Sequence, residues 1–318
     1  MVKTIVWLVT FACTIVLAQT QLVLSDIPFW PKNGVLPPDL AAKQFVYYDI
    51  ATDEIVVSYP ADGGTGPRIT FRYEPQNLVS PDVQVSVQRQ ANGQYFYDYQ
   101  VTNQPTGKRP IGWFSLVVPS TDDSVSLAHP AWAGFGMKAS TPGVAPQAGL
   151  YAGPQLRVQA NMGKFVAWGQ GAKSTAIGPG TSQAGFHLSS SFRPGITTAY
   201  FYTGKALRVP AELPPAVADQ LLPLLQPEKD YKGVLTIGPK YGQAHHDDIW
   251  IAGDLAYGIR RMVNSNQLPA DSPFIAEVIA ELTAITRNGK AVNFAFKAKP
   301  GSPLEQELAT AVPLSFAH

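Results

Sequence analysis

Hydrophobic and polar positions alternate with a period of two through much of residues 44–208. The pattern begins with QFVYYDI (44–50), EIVVSYP (54–60) and RITFRYE (68–74), with a Gly-rich turn at 61–66 between the last two. The clearest signal follows. Val83, Val85 and Val87 alternate with polar residues, Ala91-Asn92-Gly93 turns the chain, and Tyr95, Tyr97, Tyr99 and Val101 alternate again. Asn-Gly tolerates positive φ, so two period-two runs around it predict a hairpin. Further strands are expected at 113–118, 156–160, 165–168, 186–192 and 197–202. Residues 119–154 between them are Pro/Gly-rich and are expected to be irregular. Many short strands separated by turns predict a β-sandwich over 44–208.

The pattern changes after Pro210. Residues 209–232 read as a linker with a short helix broken at Pro223, and GVLTIGP (233–239) as a strand. Ile249, Ala252, Leu255, Ile259 and Val263 have helical spacing over 247–264. Ser272-Pro273 opens a second helix, whose stripe of Ile275, Val278, Ile279, Leu282 and Ile285 ends at Asn288-Gly289. Val292, Phe294 and Phe296 read as a strand, and Ser302-Pro303-Leu304-Glu305 is a capping box for a last helix. The expectation is an all-β sandwich followed by a smaller α+β domain at 233–318.

The N-terminus sets the expected location. Lys3, the apolar run Ile5 to Leu17 and Val16-Leu17-Ala18 before polar Gln19 form the three parts of a secretory signal peptide, with cleavage after Ala18. A Pro-rich, extended lead would then occupy 19–43. The rival readings are a retained anchor, for which the run is short of the ~20 residues that span a bilayer, and lipidation at Cys13. No second stretch reaches that length. Cys13 is the single cysteine, so the mature chain would carry no disulfide and no thiolate ligand. Basic and acidic residues number 24 and 23, and removing Lys3 leaves 23 of each. A neutral chain with 15% charged residues is no nucleic-acid binder.

Two stretches carry a resemblance. Tyr97 to Asn103 with Ile111 to Leu116, and Gly185 to Ser189 with Phe192 to Phe201, resemble strands of exported bacterial proteins with immunoglobulin-like sandwiches, mostly uncharacterised. The resemblance implies fold and export for the N-terminal half, a periplasmic or extracellular location, and no catalytic residue.

Candidate chemistry is sparse. No phosphate-binding glycine loop and no G-x-S-x-G elbow occurs, so no cofactor and no catalytic residue is assigned. His245, His246, Asp247 and Asp248 are weak candidates for a metal. Neighbouring residues on a helix point about 100° apart, so capping of the 247–264 helix is the favoured reading. Asp254 shares a face with Asp247. Asp122-Asp123 reads as turn chemistry, Trp132 and Phe135 as packed onto the sandwich, Trp113 and Trp168 as core, and His187 as surface. The expected function is a non-enzymatic binding or envelope-structural module for an unknown ligand or envelope protein. The alternative is a secreted hydrolase, possibly carbohydrate-active, with acids from 119–154 or 247–254.

Overall fold

The computed structural model describes residues 45–49, 54–61, 66–73, 77–128, 130–140, 164–203, 213–221, 231–242, 247–291 and 294–317. The expected leader, the 19–43 lead, the strand at 156–160, His129 and the His245-His246 pair lie outside them. The chain divides into two compact units, Met1–Pro75 with Leu207–Gln226, and Gln76–Ala206 with Pro227–His318.

In the first unit, β1 (Phe45–Asp49), β2 (Glu54–Pro60) and β3 (Arg68–Tyr73) form an antiparallel sheet in that order. β2 is buried on both faces from Ile55 to Tyr59. A short helix, α1 (Pro215–Leu221), packs against β1 and β2 and buries Val217 and Leu221. These three strands were expected in the sandwich; they make a sheet of their own instead.

The second unit holds the sandwich. The predicted hairpin is β4 (Pro81–Arg89) and β5 (Tyr95–Asn103), in register with Val85 opposite Tyr99. Gly93 sits at φ 83° in its turn, where a side chain would be strained. With β7 (Ser126–Ala128) and β10 (Thr181–Ser190) the hairpin makes a four-stranded sheet of order β4-β5-β10-β7. The facing sheet has the order β12-β11-β6-β9-β8, from β6 (Trp113–Val117), β8 (Ala133–Ser140), β9 (Lys164–Gln170), β11 (Arg193–Tyr202) and β12 (Lys232–Tyr241). Part of the stretch expected to be irregular is therefore β8, which pairs with β9. Its Gly134 lies against Gly171 so closely that a Cβ would come within 2.7 Å of that backbone.

Between the sheets the period-two pattern becomes one apolar layer. Val83, Val85, Val87, Tyr97, Tyr99, Phe186 and Leu188 meet Phe114, Leu116, Trp168 and Phe201. Phe114 stacks on Phe201 at 5.1 Å and on Trp168 at 4.9 Å, and Trp132 meets Phe186 edge-on at 5.3 Å. Tyr99 donates to the Ile237 carbonyl at 3.0 Å, a hydrogen bond from one sheet to the other.

The C-terminal helices are no separate domain. β12 pairs with β11 from Arg193 to Phe201, and α2 (Asp248–Asn264), α3 (Pro273–Asn288) and α4 (Pro303–Ser315) share the sandwich's core cluster. The helices form where capping predicts them: Asp247, Ser272 and Ser302 are the N-caps, and Gly289 ends α3 at φ 70°. The strand expected at 292–296 does not form over 294–296. Its Phe294 and Phe296 pack on Phe316 and Phe274 instead. The N–H groups of Lys297 and Ala298 donate to the Glu277 carboxylate at 2.9 and 2.7 Å, taking a side-chain acceptor rather than a neighbouring strand.

Candidate functional site

The acids singled out in the sequence are occupied. The Asp247 carboxylate accepts the Trp250 N–H at 2.7 Å, so it caps α2, and Asp248 lies in the helix's first turn, where a negative charge suits the dipole. Asp254 accepts the Tyr241 hydroxyl at 2.7 Å and pairs with Lys240 at 2.8 Å; Lys240 also donates to the Ile196 carbonyl. Burial, reinforced by the adjoining Asp254 carboxylate, holds the Tyr241 phenol far above its ordinary range. Among the described residues, no three His, Cys, Asp or Glu side chains gather in a way that could hold a metal.

Asp122 does more than shape a turn. It is fully buried, accepts from the Ser124 N–H at 3.1 Å and hydroxyl at 2.6 Å, and takes a short hydrogen bond from Ser190. Trp113, Trp132 and Trp168 are buried, as their strand-like or packed positions predict. His187 is on the surface, 3.1 Å from Asp98.

A groove of about 540 Å³ runs between α4 and the β4–β5 hairpin, lined among others by Gln84, Gln88, Gln100, Gln306, Asp98 and Glu307. Two carboxylates thus border one groove. Glu307 is largely enclosed: Oε1 accepts the Val85 N–H at 3.0 Å, and Oε2 is buried without a hydrogen-bond partner. Burial pushes this carboxyl up to about 8; the Val85 N–H opposes the shift and Asp82 adds to it. The bond covers one donor of an edge strand that would otherwise be open to another chain.

The feature that sequence reasoning missed is on α2. Large apolar side chains left exposed among the described residues of this unit are Ile249 (41%), Trp250 (48%) and Tyr257 (62%), all on this one helix. Ile249 had been expected in the buried stripe, which runs instead through Ile251, Ala252, Leu255, Ile259 and Met262. Trp250 and Tyr257 are seven residues apart and therefore lie on one face, about 10.5 Å apart along the axis. Tyr241 meets the Trp250 ring edge-on at 5.8 Å, and the Arg261 guanidinium stands 5.9 Å over the Tyr257 ring. Between them is Gly253, where an added Cβ would meet nothing within 4 Å. The readable signal was a pair of aromatics at i and i+7, off the apolar stripe.

Comparison with known proteins adds little. No family model matches the chain, and no curated protein matches it. Among solved structures, an uncharacterised protein from Nocardia farcinica described as having an immunoglobulin-like fold is similar over 49% of this chain and 95% of its own, at 12% identity and a TM-score of 0.24. It is of the class that residues 97–103, 111–116, 185–189 and 192–201 resemble.

Proposed function

We propose that the protein is an exported binding module, built on an immunoglobulin-like sandwich, that engages its ligand through the exposed aromatic face of α2. The observation that carries the reading is Trp250 and Tyr257 held in the open on one helix, which with the adjoining Ile249 holds the large exposed apolar side chains among the described residues of this unit. Single exposed apolar residues are ordinary, but large ones gathered on one helix face mark a contact surface. Support for the sandwich type comes from strand order. Taking β4, β5, β6, β7, β10, β11 and β12 as seven successive strands, the first, second, fifth and fourth share one layer, and the seventh, sixth and third the other. That is the arrangement of a constant-type immunoglobulin domain, with the β8–β9 pair added at the edge beyond β6. Support for export comes from the tripartite N-terminus and the absence of cysteine after position 13. No helix among the described residues is long and apolar enough to cross a membrane.

The hydrolase alternative needs acids facing a cleft. Of the acids in 119–154 and 247–254, Asp122 is buried against Ser124 and Ser190, Asp247 caps a helix, and Asp254 is held by Tyr241 and Lys240. The test has two parts. Full-length protein expressed in bacteria should leave the cytoplasm with Gln19 as its first residue by N-terminal sequencing. The purified mature chain should sediment with bacterial envelope fragments, and the Trp250→Ala/Tyr257→Ala double variant should stay in the supernatant. Equal sedimentation of the two proteins would remove the α2 face from the account.

A further inference from the structure

Resting on that reading of α2, we infer the ligand's class: the face is a platform for a neutral glycan chain, with Trp250 and Tyr257 each stacking on a sugar ring and the bare turn at Gly253 letting the chain lie close between them. The face of an aromatic ring is negative and its edge positive. A pyranose turns a flat patch of weakly positive C–H groups to one side and hydroxyls outward, so it stacks on such a face and leaves its rim to hydrogen bonds. Both halves of that chemistry are present here. The Trp250 ring is steadied by Tyr241, beside the Asp254–Lys240 pair. The Tyr257 ring has Arg261 over it, and Arg261 also borders a cavity of about 420 Å³ beyond the C-terminal end of α2. Thr198, Tyr200, Asn264 and Gln267 line that cavity as well. The row from Trp250 through Tyr257 to this cavity therefore alternates rings with hydroxyl, amide and charged groups, as a chain of hydroxyl-rimmed rings requires.

Other occupants fit less well. A protein partner would need a contiguous dry centre, whereas these two rings are separated by a turn that carries Gly253 and the Asp254 carboxylate. An anionic membrane surface would meet the Asp247 and Asp248 carboxylates beside Trp250. Neutrality of the ligand follows from local charge. Along this face Asp247, Asp248 and Asp254 offset Lys240, Arg260 and Arg261, so it carries no net charge to recruit an acidic polymer.

The experiment titrates the mature protein with cellohexaose, chitohexaose and laminarihexaose, followed by tryptophan fluorescence and calorimetry, with polygalacturonate as the charged comparison. At least one neutral hexasaccharide should bind, and polygalacturonate should not. Trp250→Ala and Tyr257→Ala should each weaken binding tenfold or more. Gly253→Leu is the decisive variant. It adds a side chain into open space on a helix, so the melting temperature should hold or rise, yet binding should fall at least tenfold because the trough is filled. Failure of all three neutral glycans, or binding indifferent to the three variants, overturns the inference. If the glycans fail while envelope sedimentation still depends on Trp250, the ligand class is wrong and the α2 face stands; if both are lost, both proposals fall.

Discussion

Glu307 shows how one side chain can tie stability to pH. Its carboxyl ordinarily titrates near 4.5 and is raised to about 8 in the fold, chiefly by burial. Between those values the folded chain holds a proton that the unfolded chain has released. Stability from this group is therefore complete below pH 4.5 and is lost as pH rises towards 8, at up to roughly 1.4 kcal/mol per pH unit. Glu307→Gln keeps an oxygen to accept the Val85 N–H but cannot ionise. Urea unfolding at pH 5, 7 and 9 should show a shallower pH dependence for the variant, and the variant should be the more stable protein at pH 9. An unchanged profile would mean that Glu307 ionises freely in the folded state. Nothing local in the sequence marks this residue, because its burial depends on a strand more than 200 positions away. Asp247 is the opposite case: its acceptor role is fixed by the three residues that follow it, and it was readable.

Helices and hairpins follow the same rule of range. The α4 cap is built from Ser302 and Glu305, each satisfying the other's backbone N–H. Burial opposes ionisation of Glu305, but donors at Ser272, Ser302 and Gly301 outweigh it and hold its carboxyl below the usual range. Ser302→Ala should cost about 1 kcal/mol in chemical denaturation, as caps generally do. A cost near zero would show that Ser272 and Gly301 suffice to hold Glu305. All three long helices and the β4–β5 hairpin were legible because capping, turn chemistry and periodicity act over a few residues. β8 was not. Its AGFGMKAS is poor in β-branched side chains and reads as loop, and it is a strand because β9 offers it a partner. Phe294 and Phe296 erred the other way, alternating like a strand with no neighbour to pair with.

At the scale of the molecule, the sequence suggested a boundary near residue 208 where composition changes, but hydrogen bonding ignores it. β12 completes the sheet begun by β6 and β11, and the helices that follow bury Ile251, Leu255, Ile275 and Leu308 in the same cluster as Phe114 and Tyr99. Which strands share a sheet is settled by partners far apart in the chain, so β1–β3 and β12 could not be assigned from pattern alone. A fragment of residues 231–318 should consequently fail to fold, giving no cooperative urea transition by circular dichroism. A cooperative transition in that fragment would restore the two-domain division. Many sandwiches of this type are cross-linked through the middle by a disulfide between their layers. Here the middle is filled by Tyr99, Phe114, Trp168 and Phe201, ring against ring. A centre made of aromatic rings has no disulfide to reduce and no thiol to oxidise, so the sandwich needs no particular thiol environment in which to fold or to persist.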